Sequence, residues 1–229
     1  MSKPTFAHLP PAKRARIIDA AVEEFSSRSY ASVTVDRIVD AAGISKGSLY
    51  QYFGGKLALY RWLLTEYLPQ QKLQAIEQRL AEVCPPNTAT PDPWRELEHA
   101  FLAGVRFAAR QPRLTRLAVR FLRDLEGEPA LTEIRERQKE RTHAWIMDLF
   151  ARSRSELRAD LDLTLAATFL AYALGEGMLD VLARRLEVGL STLLERPELT
   201  ARLDDDDVLS LAAQATAFIR FGIAKPSEP

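Results

Sequence analysis

The sequence predicts an all-α protein: an N-terminal three-helix helix-turn-helix domain followed by a C-terminal helical bundle, about nine helices in total. Three observations lead there. Ala and Leu are frequent while Val, Ile and Thr are modest, a balance that favours helix over strand. Apolar residues recur with helical spacing along most of the chain. Prolines and glycines fall mostly between those stretches, and neither a convincing strand nor a fixed-period repeat is present.

The first helix is expected from about Pro10 to Arg28. Pro10 and Pro11 suit a helix start, and Ile18, Ala21, Val22 and Phe25 form one apolar face. A short second helix begins at Thr34, a good N-cap, with Asp36 favourable in the first turn and Gly43 as the stop. Ser45 caps a third, Lys46 to Phe53, which Gly54-Gly55 ends. A fourth runs from Lys56 towards Val83, with Pro69 marking a kink. The breaker cluster Cys84 to Asp92 precedes further helical stretches over 93–110, 113–126, 129–155 and 161–188. Residues 189–205 read as irregular, and a last helix covers Asp206 to Ile223, its start capped by the acids Asp204 to Asp207.

Length fits one large domain or two small ones, and 47% hydrophobic residues suffice for a core, which argues against disorder or a fibre. The single cysteine, Cys84, cannot form an internal disulfide and suits a reducing compartment. The start lacks a signal-peptide core, and the longest charge-free stretch, Leu163 to Gly175, is short of the roughly 20 residues a membrane span needs. A cytoplasmic location is expected. Charges balance overall, with 31 basic and 31 acidic residues. Residues 1–61 nevertheless hold nine Lys/Arg against five acids, so the amino-terminal part is +4 and the remainder −4. That split suits an amino-terminal partner that is a polyanion.

Two short helices joined by a glycine turn have helix-turn-helix spacing, in which the second helix enters the major groove of DNA with its first residues at base edges. Those residues are Lys46, Gly47 and Ser48: one cation and two small side chains that allow close approach. Leu49 and Phe53 face inward; Tyr50, Gln51 and Tyr52 carry hydrogen-bonding groups elsewhere. Residues 17–64 resemble the N-terminal domain of the TetR/AcrR transcriptional regulators. The resemblance rests on Ile18-Asp19-Ala20-Ala21, Phe25, Tyr30, Thr34-Val35-Asp36, Ile38, Ala41-Ala42-Gly43-Ile44-Ser45, Gly47-Ser48-Leu49-Tyr50, Phe53 and Lys56. It covers about a fifth of the chain; the remainder resembles the family only in length and helicity.

The resemblance implies a cytoplasmic homodimer with a helix-turn-helix domain, here 1–58, and a helical ligand-binding and dimerisation domain, here 59–229. It implies DNA-facing roles for Thr34, Lys46, Gly47, Ser48, Tyr50, Tyr52 and Lys56, with Thr34 and Lys56 at phosphates; Arg37, just after the Thr34 cap, and Gln51, with its hydrogen-bonding amide, complete the expected DNA-binding set. Tyr50 and Tyr52 could alternatively be a half-buried rim, and Lys13, Arg14 and Arg16 either a solvated face or phosphate contacts. Two departures from the family pattern stand out: Ser29 replaces a frequent glycine, which would strain or alter the turn, and Gly54-Gly55 replaces a polar pair, which would loosen the third helix against the fourth.

In the C-terminal part, candidate ligand-binding residues are aromatic, sulphur-bearing or titratable: Phe101, Phe107, Phe121, His143, Met147, Phe150, Phe169 and Tyr172. They suggest a small, mainly apolar effector. On the 129–155 helix, Ile134, Trp145 and Leu149 share one face and His143, Met147 and Phe150 the other. The small residues Ala167, Ala171 and Gly175, with Leu209, Ala213 and Ala217 of the last helix, suggest a four-helix dimer interface. A row of small residues inside one subunit is the alternative.

The expected function is a ligand-responsive, homodimeric transcriptional regulator, a repressor released from a palindromic double-stranded operator by its effector. The alternatives are a helical-bundle metal enzyme and a DNA-binding dimer without an effector. Two Glu-x-x-His pairs, Glu96/His99 and Glu140/His143, raise the metal-enzyme reading, but helical geometry sets His99 opposite the apolar face of its helix. With three scattered histidines and one cysteine, and no phosphate loop or nucleophile motif, no metal, cofactor or catalytic residue is expected.

Overall fold

The computed structural model describes residues 4–83, 92–124, 129–155, 157, 159–173 and 177–223. Cys84 and Gly175 lie outside the described residues. Thirteen α-helices and no strand appear among those described: α1 (Pro4–Ala7), α2 (Pro11–Ser27), α3 (Val35–Ala42), α4 (Lys46–Phe53), α5 (Lys56–Trp62), α6 (Leu68–Val83), α7 (Pro93–Arg110), α8 (Pro112–Asp124), α9 (Pro129–Arg152), α10 (Leu163–Tyr172), α11 (Met178–Arg185), α12 (Leu190–Glu195) and α13 (Asp205–Ile223). The count exceeds nine because the expected helices over 56–83 and 161–188 are each two elements, α5 with α6 and α10 with α11, and because α1 and α12 form where sequence periodicity is too short to show. A π-helical turn, Leu63–Tyr67, continues α5 into α6 just ahead of Pro69, whose ring and missing N–H disrupt regular i→i−4 bonding.

The chain divides into two compact units: residues 1–71 with 111–136, and residues 72–110 with 137–229. The division falls within α6, between α7 and α8, and within α9, whereas the sequence-based domain boundary sits at 58/59.

The first unit is built around aromatic contacts. Phe6 of α1 is buried, 4.6 Å from the Phe53 ring and 5.3 Å from Trp62. Phe25 of α2 meets Tyr60 of α5 at 4.5 Å, and Tyr30 stacks on Tyr60 at 5.1 Å. The anticipated inner face of α2 is buried at Ile18, Ala21, Val22 and Phe25. Helix α8 adds Leu114, Leu117 and Phe121, packs along α2, and is pinned at its flank by the Arg113–Glu23 ion pair at 3.1 Å.

The second unit has two apolar clusters. Trp94 and Leu97 of α7, Ile146, Leu149 and Phe150 of α9, and Ala166, Ala167 and Leu170 of α10 form one. Leu102 and Val105 of α7 join Leu182, Leu193, Leu199 and Val208 in the other. Arg106 fastens the latter: its guanidinium donates to the Thr200 and Leu203 carbonyls at 3.2 and 2.7 Å and pairs with Asp205. Asp204 Oδ1 accepts from the Asp207 amide at 2.7 Å, so the acidic run caps α13 as anticipated.

Candidate nucleic-acid interface

The helix-turn-helix forms from local capping. Thr34 Oγ1 accepts from the Arg37 amide at 3.4 Å and starts α3. Gly43 closes α3 in the left-handed region, φ 64° and ψ 43°, where a side chain would be strained. Ser45 Oγ then accepts from the Ser48 amide at 3.1 Å and starts α4. Val35, Ile38, Val39 and Ala42 of α3, with Leu49 and Phe53 of α4, are buried. Gly54 and Gly55 take φ 86° and 146°, so the glycine pair makes a turn that other residues would strain. Ser29 is not strained: its φ is −62°, and its hydroxyl lies 2.8 Å from that of Ser32.

This folding leaves the start of α4 open. Lys46, Gly47, Tyr50 and Gln51 are exposed, and Ser48 is half-buried behind them. Thr34 and Arg37 are exposed at the start of α3. Asp36 lies beside Lys46, with Nζ to Oδ1 at 2.9 Å, an exposed ion pair that holds the ammonium's proton more firmly than usual. Sequence reasoning gave Asp36 only a helix-start role and missed this pairing.

Two residues of the expected DNA set are placed otherwise. Tyr52 is only 6% exposed, its ring 6.0 Å from Phe6, because α1 covers that side of α4. Its ring packs in the core instead of standing on the exposed face of α4. Lys56 is turned inward: Nζ donates to the Tyr30 and Val33 carbonyls at 2.9 and 3.0 Å and sits 4.3 Å from the Tyr30 ring centroid. It holds the turn leading into α3 instead of standing free for phosphate. Arg14 donates to the Ala7 carbonyl at 3.1 Å, which ties α2 to the end of α1.

Residues 17–62 match the family model described as bacterial regulatory proteins, tetR family. The amino-terminal domain is that of the TetR family. It is 41% identical over 56 residues to the transcriptional activator FasR of Mycolicibacterium smegmatis, 24% of this chain and 26% of that protein. Over 106 residues the chain is 25% identical to the probable acrEF/envCD operon repressor of Escherichia coli K12, 44% of this chain and 42% of that one. The chain thus spans about a quarter of the length of relatives such as FasR. Among solved structures, a TetR-family regulator from Chloroflexus aurantiacus superposes with a TM-score of 0.64 at 28% identity, over 99% of this chain and all of that one. NalD, described as the secondary repressor of the MexAB-OprM efflux pump of Pseudomonas aeruginosa, gives 0.59 at 22% identity over 94% and 98%. The TetR fold therefore extends through both units. These relatives are named as regulators, not enzymes.

The expected ligand-binding residues do not gather at one place. Phe121 belongs to the first unit, 6.3 Å from Tyr60. Phe150 is fully buried in one cluster of the second unit with Met147 beside it, Phe101 packs on the other cluster, Phe107 is buried, and His143 is half-buried. Phe169 and Tyr172 are 69% and 56% exposed. The pairing of faces on α9 is also different: Trp145 is exposed while Ile146, Leu149 and Phe150 are buried together.

Of the small-residue row, Ala167 is buried, while Ala171, Leu209, Ala213 and Ala217 are half-buried. Ala167 is fully buried with Ala171 packed on the same cluster, and Leu209 packs on the other. Ala213 and Ala217 border a cleft against α7. What α10 exposes is Leu165, Phe169 and Tyr172, spaced as one helical face. His99, expected opposite the apolar face, is buried at 6% because α7 is covered on more than one side. Glu96, its partner in the Glu-x-x-His pair, is held by Arg152 at 2.7 Å.

Proposed function

We propose that this chain is a cytoplasmic, homodimeric, DNA-binding transcriptional regulator that represses from a palindromic operator and is released by a small, mainly apolar effector. One observation carries the reading: α4 seals Leu49 and Phe53 into the core and leaves Lys46, Gly47, Tyr50 and Gln51 exposed on a cationic domain. Such a helix fits the major groove, with Lys46 and Tyr50 at base edges and Ser48 close behind. Thr34 and Arg37 support α3 against phosphates.

Dimerisation supports recognition of a palindrome, since two-fold protein symmetry mirrors two-fold DNA symmetry. The surface offered for it is the exposed face of Leu165, Phe169 and Tyr172, large apolar side chains that a second copy would cover. Effector control operates if the effector binds one arrangement of the dimer better than the other, shifting the population away from the DNA-competent form. Repression is named for relatives such as NalD, although FasR is named an activator.

The test is selection of bound duplexes from a random library with the 229-residue chain. Enrichment of an inverted repeat, lost in Tyr50→Ala and Lys46→Ala variants that still fold, is expected. Absence of any enriched sequence overturns the proposal.

A further inference from the structure

Over residues 72–83, helix α6 turns one face to the interior of the second unit. Ala75, Ile76, Arg79, Leu80 and Val83, spaced as one helical face, are half-buried, while Gln74, Glu77, Gln78 and Glu82 on the other side are exposed. The inward face looks towards α7. Arg79 Nε is closed off from solvent, and the Arg79 charge depresses the pKa of His99 on that helix.

Lys72 breaks the pattern. A step of about 100° per residue sets it in the middle of the inward face, in line with Arg79 and Val83. Its place in the row makes it a residue to be covered, yet it is exposed. A side chain is both inward and accessible only where neighbouring elements stand back and leave a space before it. The ammonium's surroundings agree: burial lowers its pKa, as it would not on an open surface. Lys72 thus projects into a recess walled by protein.

Among the described residues nothing answers its charge. Lys72 forms no hydrogen bond or ion pair there, and no carboxylate acts on its titration. Lys46 by contrast has Asp36, and Lys56 has two carbonyls. A desolvated ammonium without a partner is unfavourable, and a bound anion relieves it.

The rest of the face limits that anion. Arg79, two turns on, is already paired with Glu82 at 3.2 Å, so one ammonium is left to meet one negative charge. Beside it stand Ala75 and Ile76, alkyl groups that the core does not seal. A singly charged head on an apolar chain satisfies both. A dianion would keep one charge unanswered, and an amine would repeat the charge of Lys72.

We infer that Lys72 anchors a binding site for amphiphilic monocarboxylates, with the carboxylate on Nζ and the alkyl chain over Ala75 and Ile76. The inference names the polar group of the effector proposed above, and it rests on that reading for one consequence, that the bound carboxylate frees DNA.

The experiment is titration calorimetry on the 229-residue chain at neutral pH with octanoate, 1-octanol and octylamine, which share a chain and differ in head charge. Octanoate should bind at least about tenfold more tightly than either. Lys72→Met should remove that preference, and Lys72→Arg should keep it. Without ligand, Lys72→Met should melt no lower than wild type, since it exchanges an unpaired, desolvated charge for an apolar chain. The inference is overturned if octanoate binds no more tightly than 1-octanol, if Lys72→Met retains the preference, or if that variant melts lower without ligand. Filter binding to the selected duplex separates the two readings. Octanoate that binds through Lys72 without releasing DNA leaves this site standing and removes the effector role from the proposed function.

Discussion

Asp124, the last residue of α8, accepts a hydrogen bond at 2.7 Å from the backbone amide of Tyr30, 94 positions earlier in the chain. The same turn is held from another side by Lys56 through the Tyr30 and Val33 carbonyls. The entry to Thr34 and α3 is thereby fixed by side chains from α5 and α8. Asp124→Ala strands a partly buried amide and should destabilise the protein by about 1–2 kcal/mol, with Asn recovering part of the loss. Equilibrium urea unfolding measures this; identical midpoints for wild type and Asp124→Ala would refute it.

The inward aim of Lys56 separates it from the DNA-facing cations. Lys56→Met removes two hydrogen bonds and a cation–π contact and should cost stability of about 1–3 kcal/mol. It should leave the salt dependence of DNA binding unchanged in the fraction that folds. Arg37→Ala, by contrast, should reduce the slope of log K against log salt by about one, as loss of one phosphate contact does. Slopes measured between low and physiological salt discriminate the two; a reduced slope for Lys56→Met would return it to the phosphate backbone.

The Asp36–Lys46 ion pair makes a further prediction. The carboxylate both occupies the Lys46 ammonium and adds negative charge where a phosphate backbone would approach. Asp36→Asn should raise affinity for duplex DNA several-fold at low salt, with the gain shrinking as salt screens it. The accompanying loss of a favourable helix-start charge should cost only about 0.3–1 kcal/mol. Filter binding at two salt concentrations is the measurement, and weaker binding by Asp36→Asn at low salt would count against the placement of Lys46.

Much of the helix-turn-helix was legible in the sequence because its determinants are local. Thr34, Gly43 and Ser45 set the helix ends within a few residues, and Leu49 and Phe53 fall one turn apart. Tyr52 was not legible, since its burial depends on Phe6 in a four-residue helix with too few positions to display a period. Lys56 and Asp124 were not legible either, because their partners are carbonyl and amide groups of the backbone, which leave no mark on residue identity. On α10, apolar residues run nearly all round, so the sequence did not say which of them the core of the second unit takes. That core takes Ala166, Ala167 and Leu170, leaving Phe169 and Tyr172 exposed.

That exposed face should govern assembly. Phe169→Glu introduces a charge at a position already 69% exposed, so the folded subunit should tolerate it. Across a two-fold interface each substitution is repeated, and two buried carboxylates oppose association. Sedimentation at micromolar concentration should show a dimer for wild type and a monomer for Phe169→Glu, with unchanged far-ultraviolet circular dichroism. A dimeric Phe169→Glu would place the interface elsewhere.

The last prediction concerns acid. Burial depresses the His99 pKa below its ordinary value, and the fields of Arg79 and Arg95 add to the effect. In the unfolded chain the imidazole takes up its proton near pH 6.5. The folded protein takes it up only at lower pH, so between the two values the unfolded state binds more protons. Stability therefore rises with pH across that window. The contribution is complete above about pH 6.5 and erodes as pH falls through the folded value. His99→Phe and His99→Gln remove the titrating group, so their melting temperatures should fall less than that of wild type between pH 7.5 and 5.0. Using both variants separates titration from packing, because any change in fit shifts a curve bodily without altering its pH slope. Parallel curves for all three proteins would show that His99 titrates alike in the folded and unfolded chains.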